Sequence, residues 1–380
     1  MEPYTLTRGF RKRDIIDGFF SCIWTERYYG DADLELVVPA TPEMIAKLPE
    51  GTFIGIDNTD VVMIIETVDI QDEKLKASGI ALLPWMDNRF VRTSPTHEDR
   101  YWYIDEPWST PGWILWAIIY YMCAPGSPYL NGTINTGIPN PERLAIPGLT
   151  LQNHDNSGMP VKVAVPFGPV YKAMREIATT YEIGMEILLT SVSESSYTLG
   201  FRNYKGLDRT SGQTENTIVR FSPQMESFTN IKELRSIALL KTLVYSFAPG
   251  LRAEEGQPSL ATVPGASSLS GAEYIGFDLR ALMTFEEDIT TDMVEGSPTN
   301  LVNVLNSRAQ EALTTNRYVI AVDGEIVPEN QFKYGIHYSL GDVIEVQGNS
   351  GAVQTARVTE YIRAQDAAGE RAYPTVTMIG

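Results

Sequence analysis

The stretch that most constrains the fold of this chain is its C-terminal end, Tyr334-Gly-Ile-His-Tyr-Ser-Leu-Gly-Asp-Val-Ile-Glu-Val-Gln347, followed by Ala356-Arg-Val-Thr-Glu-Tyr-Ile-Arg363. Gly341 and Asp342 form a turn signal just ahead of the short strand run Val343–Val346. Gly348-Asn-Ser-Gly351 then gathers residues that tolerate a positive φ, which predicts a tight reversal. Val353 to Arg363, rich in β-branched residues, reads as the returning strand. A hairpin of this kind ends a β-rich fold and carries no chemistry of its own.

The N-terminal third has the same grammar. Phe20 to Tyr28 alternates apolar and polar residues, Gly30-Asp31 turns the chain, and Asp33-Leu-Glu-Leu-Val-Val38 alternates again up to Pro39. Thr41-Pro-Glu-Met-Ile-Ala-Lys-Leu48 predicts a short helix with a Thr cap and Pro at its first position. Thr52–Ile56, Val61–Ile70 and Lys74–Ala81 read as further strands, the middle one apolar on both faces at its start and so placed in a core.

From Pro84 the character changes, with Trp, Tyr, Pro and Gly dominating to about Pro166. Ser109 to Met122 predicts a capped helix that is apolar almost all round, hence buried on most sides. Pro125 to Pro166 is a weakly patterned connector. Pro169 to Tyr181 has Val170, Met174, Ile177 and Tyr181 at helical spacing, with Gly184 as its stop. Met185–Thr190 and Tyr197–Phe201 form a strand pair. Thr217–Phe221 and Thr242–Phe247 read as strands, Pro249–Gly271 as a loop, Phe277–Thr291 as an acidic segment, and Thr299–Leu313 as a helix whose apolar face is Val302, Leu305, Ala309 and Leu313.

A chain of 380 residues exceeds one compact core and predicts two to four domains. The 30 basic and 48 acidic residues give a net charge of −18, which repels nucleic-acid phosphate and argues against sequence-specific nucleic-acid binding. Such a surface serves solubility, and it also suits a wall past which DNA slides. Cys22 and Cys123 sit in separate apolar contexts and read as buried free thiols of a chain made in a reducing cytoplasm. The longest apolar run, Trp113–Cys123, is shorter than the ~20 residues a membrane span needs, and Met1-Glu-Pro-Tyr4 opens no secretory signal.

Catalytic signatures are hard to find. His97, His154 and His337 stand in loops or turns without a Cys or His at zinc spacing, and a structural hydrogen bond is the expectation for His337. There is no nucleophile elbow, zinc-protease helix or Gly-rich phosphate loop. Asp57-Asn-Thr-Asp60 and Asp31-Ala-Asp33 lack the remaining ligands of a calcium loop. Glu286, Glu287, Asp288, Asp292 and Glu295 read as a solvated acidic face. No catalytic residue, cofactor or metal is assigned. A glycosidase, however, needs only two carboxylates about 5–10 Å apart, so a cell-wall hydrolase stays open, as does a carbohydrate-binding module using exposed rings between 84 and 130.

Four blocks carry a family resemblance: Trp24-Thr-Glu-Arg-Tyr-Tyr-Gly-Asp-Ala-Asp-Leu-Glu-Leu36; Ile64-Ile-Glu-Thr-Val68 with Leu75-Lys-Ala-Ser-Gly79; Gly206-Leu-Asp-Arg-Thr210 with Val219-Arg-Phe-Ser222; and the closing hairpin with Tyr373-Pro374-Thr375. Together they resemble the minor tail proteins of actinobacterial siphophages, of the baseplate-hub or tail-tip hub type. The resemblance implies a β-dominated α+β fold with two tail-tube-like β-barrels and inserted mixed α/β domains. The corresponding boundaries are 1–83 for the first barrel, 84–215 for an aromatic-rich insertion, 216–248 for the start of the second barrel, 249–298 for a loop-rich insertion and 299–380 for completion of the second barrel. It implies a homotrimer at the virion tail tip, which joins the sixfold tube and distal tail protein ring to a threefold tip, contacts the tape measure protein and other minor tail proteins, and closes or gates the DNA channel. Trp113, Trp116, Tyr120, Tyr334, Tyr338, Gly341 and Asp342 are the expected structural and interface residues.

Overall fold

The computed structural model describes residues 1–92, 101–104, 106–134, 136–193, 196–249, 262–268, 276–285, 298–316, 319–327 and 331–379. The chain divides into two compact units, residues 1–229 with 324–380, and residues 230–323. The fold is α+β and dominated by strands.

The first unit opens with β1 (Pro3–Leu6), β2 (Lys12–Ile15), β3 (Ser21–Arg27) and β4 (Asp33–Pro39). After helix α1 (Pro42–Lys47) come β5 (Phe53–Ile56), β6 (Met63–Gln71) and β7 (Lys74–Ala81). Alternation does what the pattern predicts: in β4, Leu34, Leu36 and Val38 are buried, and they share a core with Trp24, Ile54, Met63 and Leu75. Thr41 caps α1 by accepting the Met44 N–H at 3.2 Å.

The insertion continues through α2 (Leu82–Trp85), β8 (Phe90–Val91), β9 (Tyr101–Ile104) and α3 (Pro111–Cys123). It then adds β10 (Leu149–Leu151), β11 (Val163–Pro166), β12 (Gly168–Pro169), α4 (Val170–Tyr181), β13 (Gly184–Ser193) and β14 (Ser196–Tyr204). Thr110 caps α3 and Pro111 starts it; nine of its thirteen residues are buried, as a helix apolar all round requires. Ile114, Leu115 and Ile118 of α3 share a core with Val170, Met174 and Ile177 of α4. The stop of α4 differs from expectation. Glu182, at φ +56, takes the left-handed position, and Gly184 already begins β13. Cys22 and Cys123 are free and buried. No helix among the described residues is long and apolar enough to cross a membrane.

The remaining elements are β15 (Arg220–Phe221), β16 (Phe228–Ser236), β17 (Leu243–Pro249), β18 (Thr262–Ser268), β19 (Ala281–Phe285), α5 (Pro298–Thr315) and β20 (Val319–Ile326). The chain closes with β21 (Val343–Gln347), β22 (Val353–Asp366) and β23 (Gly369–Ile379). The expected closing hairpin is present, and a third strand extends it.

The two tail-tube-like β-barrels are not confirmed. Strands from both ends of the chain join in one eleven-stranded sheet, in the order β15-β21-β22-β3-β4-β7-β6-β5-β1-β2 with β23 attached to β22, and no closed barrel is found among the described residues. The reason is the length of β22. Val353–Arg357 pair with β21, and Glu360–Asp366 pair with β3, so the C-terminal hairpin is stitched to the N-terminal strands instead of returning on itself. A β-bulge near Thr359 separates the two pairings.

In the second unit, β17 lies between β18, antiparallel, and β19, parallel. Thr262–Ser268, expected in a loop, is therefore a strand. Helix α5 packs Ala309 and Leu313 against Val244. Leu305 is also buried, so the helical spacing marks the correct face.

Candidate functional site

Tyr28 sits fully buried where β3, the insertion and the closing hairpin meet. Its N–H donates to the carbonyl of Thr359 at 2.9 Å, at the bulge of β22. Its hydroxyl lies 3.0 Å from the carbonyl oxygen of Glu182 and 3.2 Å from that of Tyr204, and it accepts the Gly206 N–H at 3.2 Å. One hydroxyl proton serves one carbonyl at a time. Burial pushes the phenol pKa up. The Arg357 guanidinium lies 5.5 Å from the ring centroid, and Tyr204 meets the ring edge-on. Gly184 and Gly341 are glycines because of this ring. A Cβ on either would fall within 2.7 Å of Tyr28 Cδ2, and Gly341 also has φ +88. Tyr28 was not singled out from the sequence; the available signal was an aromatic pair at the end of an alternating strand, just before Gly30.

Asp342, at the start of the closing strand, is buried and fully bonded. It accepts N–H groups from Leu207 at 2.8 Å and Ser339 at 3.0 Å, and pairs with Arg209 at 2.5 Å. Two positions into β21, Glu345 accepts the N–H and hydroxyl of Ser211 and pairs with Arg220 at 2.6 Å. Burial raises its pKa, but the Ser211 hydrogen bonds and the Arg220 cation outweigh it and hold the carboxyl below its usual range. Arg357 joins Glu182 at 2.6 Å to the Gly341 carbonyl at 2.9 Å. Glycine–aspartate in the closing turn is thus one end of an ionic lacing that ties residues 182–220 to the hairpin.

Tyr338 is buried edge-on to Phe221, and Tyr334 stacks on Tyr361 at 3.6 Å with planes 7° apart. His337 Nδ1 accepts the Lys333 N–H at 2.9 Å, the structural role its turn position predicts. The helix aromatics are placed elsewhere. Trp113 packs partly against the insertion core, while Trp116 stacks on Tyr120 at 5.1 Å and meets His154 at 5.9 Å; all three helix aromatics are half-buried. The structure thus brings Tyr334, Tyr338, Gly341 and Asp342 together; Trp113, Trp116 and Tyr120 share α3.

A cleft of about 230 Å³ is lined by Glu26, Asp60, Glu186, Arg202, Tyr204 and Tyr334, among others. Glu26 accepts the Trp24 indole N–H at 3.0 Å, and Glu186 pairs with Arg202. Burial pushes both carboxyls up, against those partners, and Asp60 adds to it for both. A small cavity of about 20 Å³ lies behind the two glutamates. Chemically, this is a pair of carboxyls with raised pKa at one cleft. Among the described residues, no group of three or more His, Cys, Asp or Glu is placed to hold a metal ion. His97 and the acidic residues 286–288, 292 and 295 lie outside the described residues.

The comparisons agree with this architecture. No curated protein matches the sequence. Two solved structures are similar along nearly their whole length. One is the 43 kDa tail protein of prophage MuSo2 from Shewanella oneidensis, at TM-score 0.52 and 11% identity, over 99% of this chain and 98% of that one. The other is prophage tail protein gp18 from Listeria monocytogenes EGD-e, at TM-score 0.50 and 11% identity, over 100% and 94%. At such identity the likeness is one of fold. The family match is to the sequence itself and runs over residues 4–376, so the chain, folded like these prophage tail proteins, belongs to the siphovirus ReqiPepy6 Gp37-like family.

Proposed function

We propose that this chain is a structural protein at the tip of a long non-contractile phage tail, the trimeric hub that joins the sixfold tail tube and distal tail ring to a threefold tip. The observation that carries the reading is the full-length fold likeness to a prophage tail protein, over 99% of one chain and 98% of the other, in a chain of a siphovirus family. Free strand edges support it. β23 pairs only with β22 among the described residues, so eleven residues of backbone edge are open to another chain. In the assembled ring, neighbouring copies complete the tube-like barrels at such edges, and Trp116 with Tyr120 anchor a contact with another tail protein. A net charge of −18 lets DNA pass the wall without sticking. The mechanism is geometric: symmetry matching, closure of the bore around the tape measure end, and opening on ejection. Immunogold labelling of virions with antibody to this chain tests it. Label confined to the distal tip is expected; label along the tube or at the head–tail junction would refute it.

A second reading, a cell-wall hydrolase, has one observation in its favour: Glu26 and Glu186, with carboxyls pushed up, share a cleft. Release of muropeptides by the purified chain, abolished in both Glu26→Gln and Glu186→Gln, would establish it; no release from the unaltered chain would end it.

A further inference from the structure

We infer that the outer face of the β17–β19 sheet is a subunit contact, covered by the β9–β11 ribbon of a second copy of this chain. The inference rests on the trimeric hub reading and gives it a surface.

The register fixes which side chains share this face. In β17, Val244 and Ser246 are buried on the α5 side, so Leu243, Tyr245 and Phe247 point the other way. β19 runs parallel to it with Met283 opposite Tyr245 and Phe285 opposite Phe247. Met283 is 71% exposed and Phe285 50%. Leu279, two residues upstream of β19 at the same parity, is exposed as well. Helix α5 covers the opposite face of the sheet. Together Tyr245, Met283, Phe285 and Leu279 leave on the order of 400 Å² of surface in water. That is the ~300–600 Å² size of a monomer's largest patch, which is often a functional surface.

The choice of a second copy follows from symmetry. A threefold ring closes through heterologous contacts, in which one surface meets a different surface of the next subunit. Such a chain must display two apolar surfaces, and this one does. β9 pairs with β11, and Tyr101 and Tyr103 of β9 are exposed with ring centroids 6.1 Å apart. Trp108, a few residues on, is 60% exposed. Large aromatic anchors on one side and a soft methionine on the other are a natural match.

The test is light scattering on the full-length chain over a range of concentrations, with two paired variants, Met283→Lys with Phe285→Lys and Tyr101→Ser with Tyr103→Ser. All four side chains face solvent, and circular dichroism and thermal melts check that the fold is kept. We expect the unaltered chain to form trimers and each variant to lose association about 100-fold or more. Mixing the two variants should return a dimer, because one variant's intact face meets the other's intact ribbon. Trimers in the unaltered chain and in both variants would overturn the surface assignment and leave the hub reading standing. A strict monomer for the unaltered chain at all concentrations would remove the hub reading and this contact with it.

Discussion

A Cβ on Gly341 would stand 2.7 Å from Cδ2 of Tyr28, so the closing turn and the end of β3 keep their places only while residue 341 has no side chain. The strain adds to the clash, since φ at 341 is +88. Gly341→Ala should therefore cost about 2–4 kcal/mol. Tyr28→Phe, which keeps the ring and loses the hydroxyl contacts with Glu182, Tyr204 and Gly206, should cost about 1–2 kcal/mol. Urea unfolding followed by tryptophan fluorescence checks both. Equal losses in the two variants would mean that the hydroxyl, not the ring packing, sets the junction.

Asp342 has three donors and almost no contact with water. Asp342→Ala leaves the Arg209 cation and two N–H groups without their acceptor, and should cost about 3–5 kcal/mol. Replacing Arg209 and Asp342 together, by Met and Leu, should recover part of that loss. Additive losses in this cycle would show that the pair does not act as a unit.

The acid responses of Glu345 and Glu26 should have opposite signs. The folded pKa of Glu345 is held below its unfolded value, so its stabilisation is complete above about pH 4.3 and is lost as pH falls through the folded value. The folded pKa of Glu26 is raised by burial, so its relative contribution is most favourable below about pH 4.3 and is lost as pH rises through the folded value. Glu345→Gln should lower Tm at pH 7, and Glu26→Gln should raise it. The Glu26 difference should shrink as pH falls towards about 4.3, and the Glu345 difference only as pH falls below it. Parallel shifts of the two variants across that range would contradict the assignment.

Much of this architecture is legible in the sequence because it is local. The alternation of Leu34, Leu36 and Val38, the Thr41 and Thr110 caps and the spacing of Leu305, Ala309 and Leu313 each write their own element. Gly341-Asp342 is legible as a turn. Its partner Tyr28 is not, because the two are more than 300 residues apart and nothing nearby says which glycine a buried ring will meet. The one-sheet arrangement is hidden for a similar reason. Fourteen consecutive strand-forming residues in β22 reveal a long strand, but not that its halves pair with different ends of the chain. Glu26 and Glu186 look like ordinary surface carboxylates in alternating strands until β3 and β13 are brought to one cleft.

Trp116 and Tyr120 separate assembly from folding. They stack on each other half-buried, whereas Trp113 leans on the insertion core. Trp116→Ala should leave the melting temperature within about 2–4 °C of the unaltered chain and reduce incorporation into particles at least tenfold. Trp113→Ala should lower stability as well, by about 2 kcal/mol. Western blots of purified virions and melts of the free proteins distinguish the two, and full incorporation of the Trp116 variant would take α3 out of the interface.

The central claim is a threefold hub at the tail tip. Electron cryomicroscopy of tail tips containing this chain, reconstructed without imposed symmetry, tests it most directly. The account predicts three copies in a ring on the tail axis, directly below a sixfold tube, with the sheet edge at β23 against a neighbour. One copy, six copies, or density off the axis would contradict it.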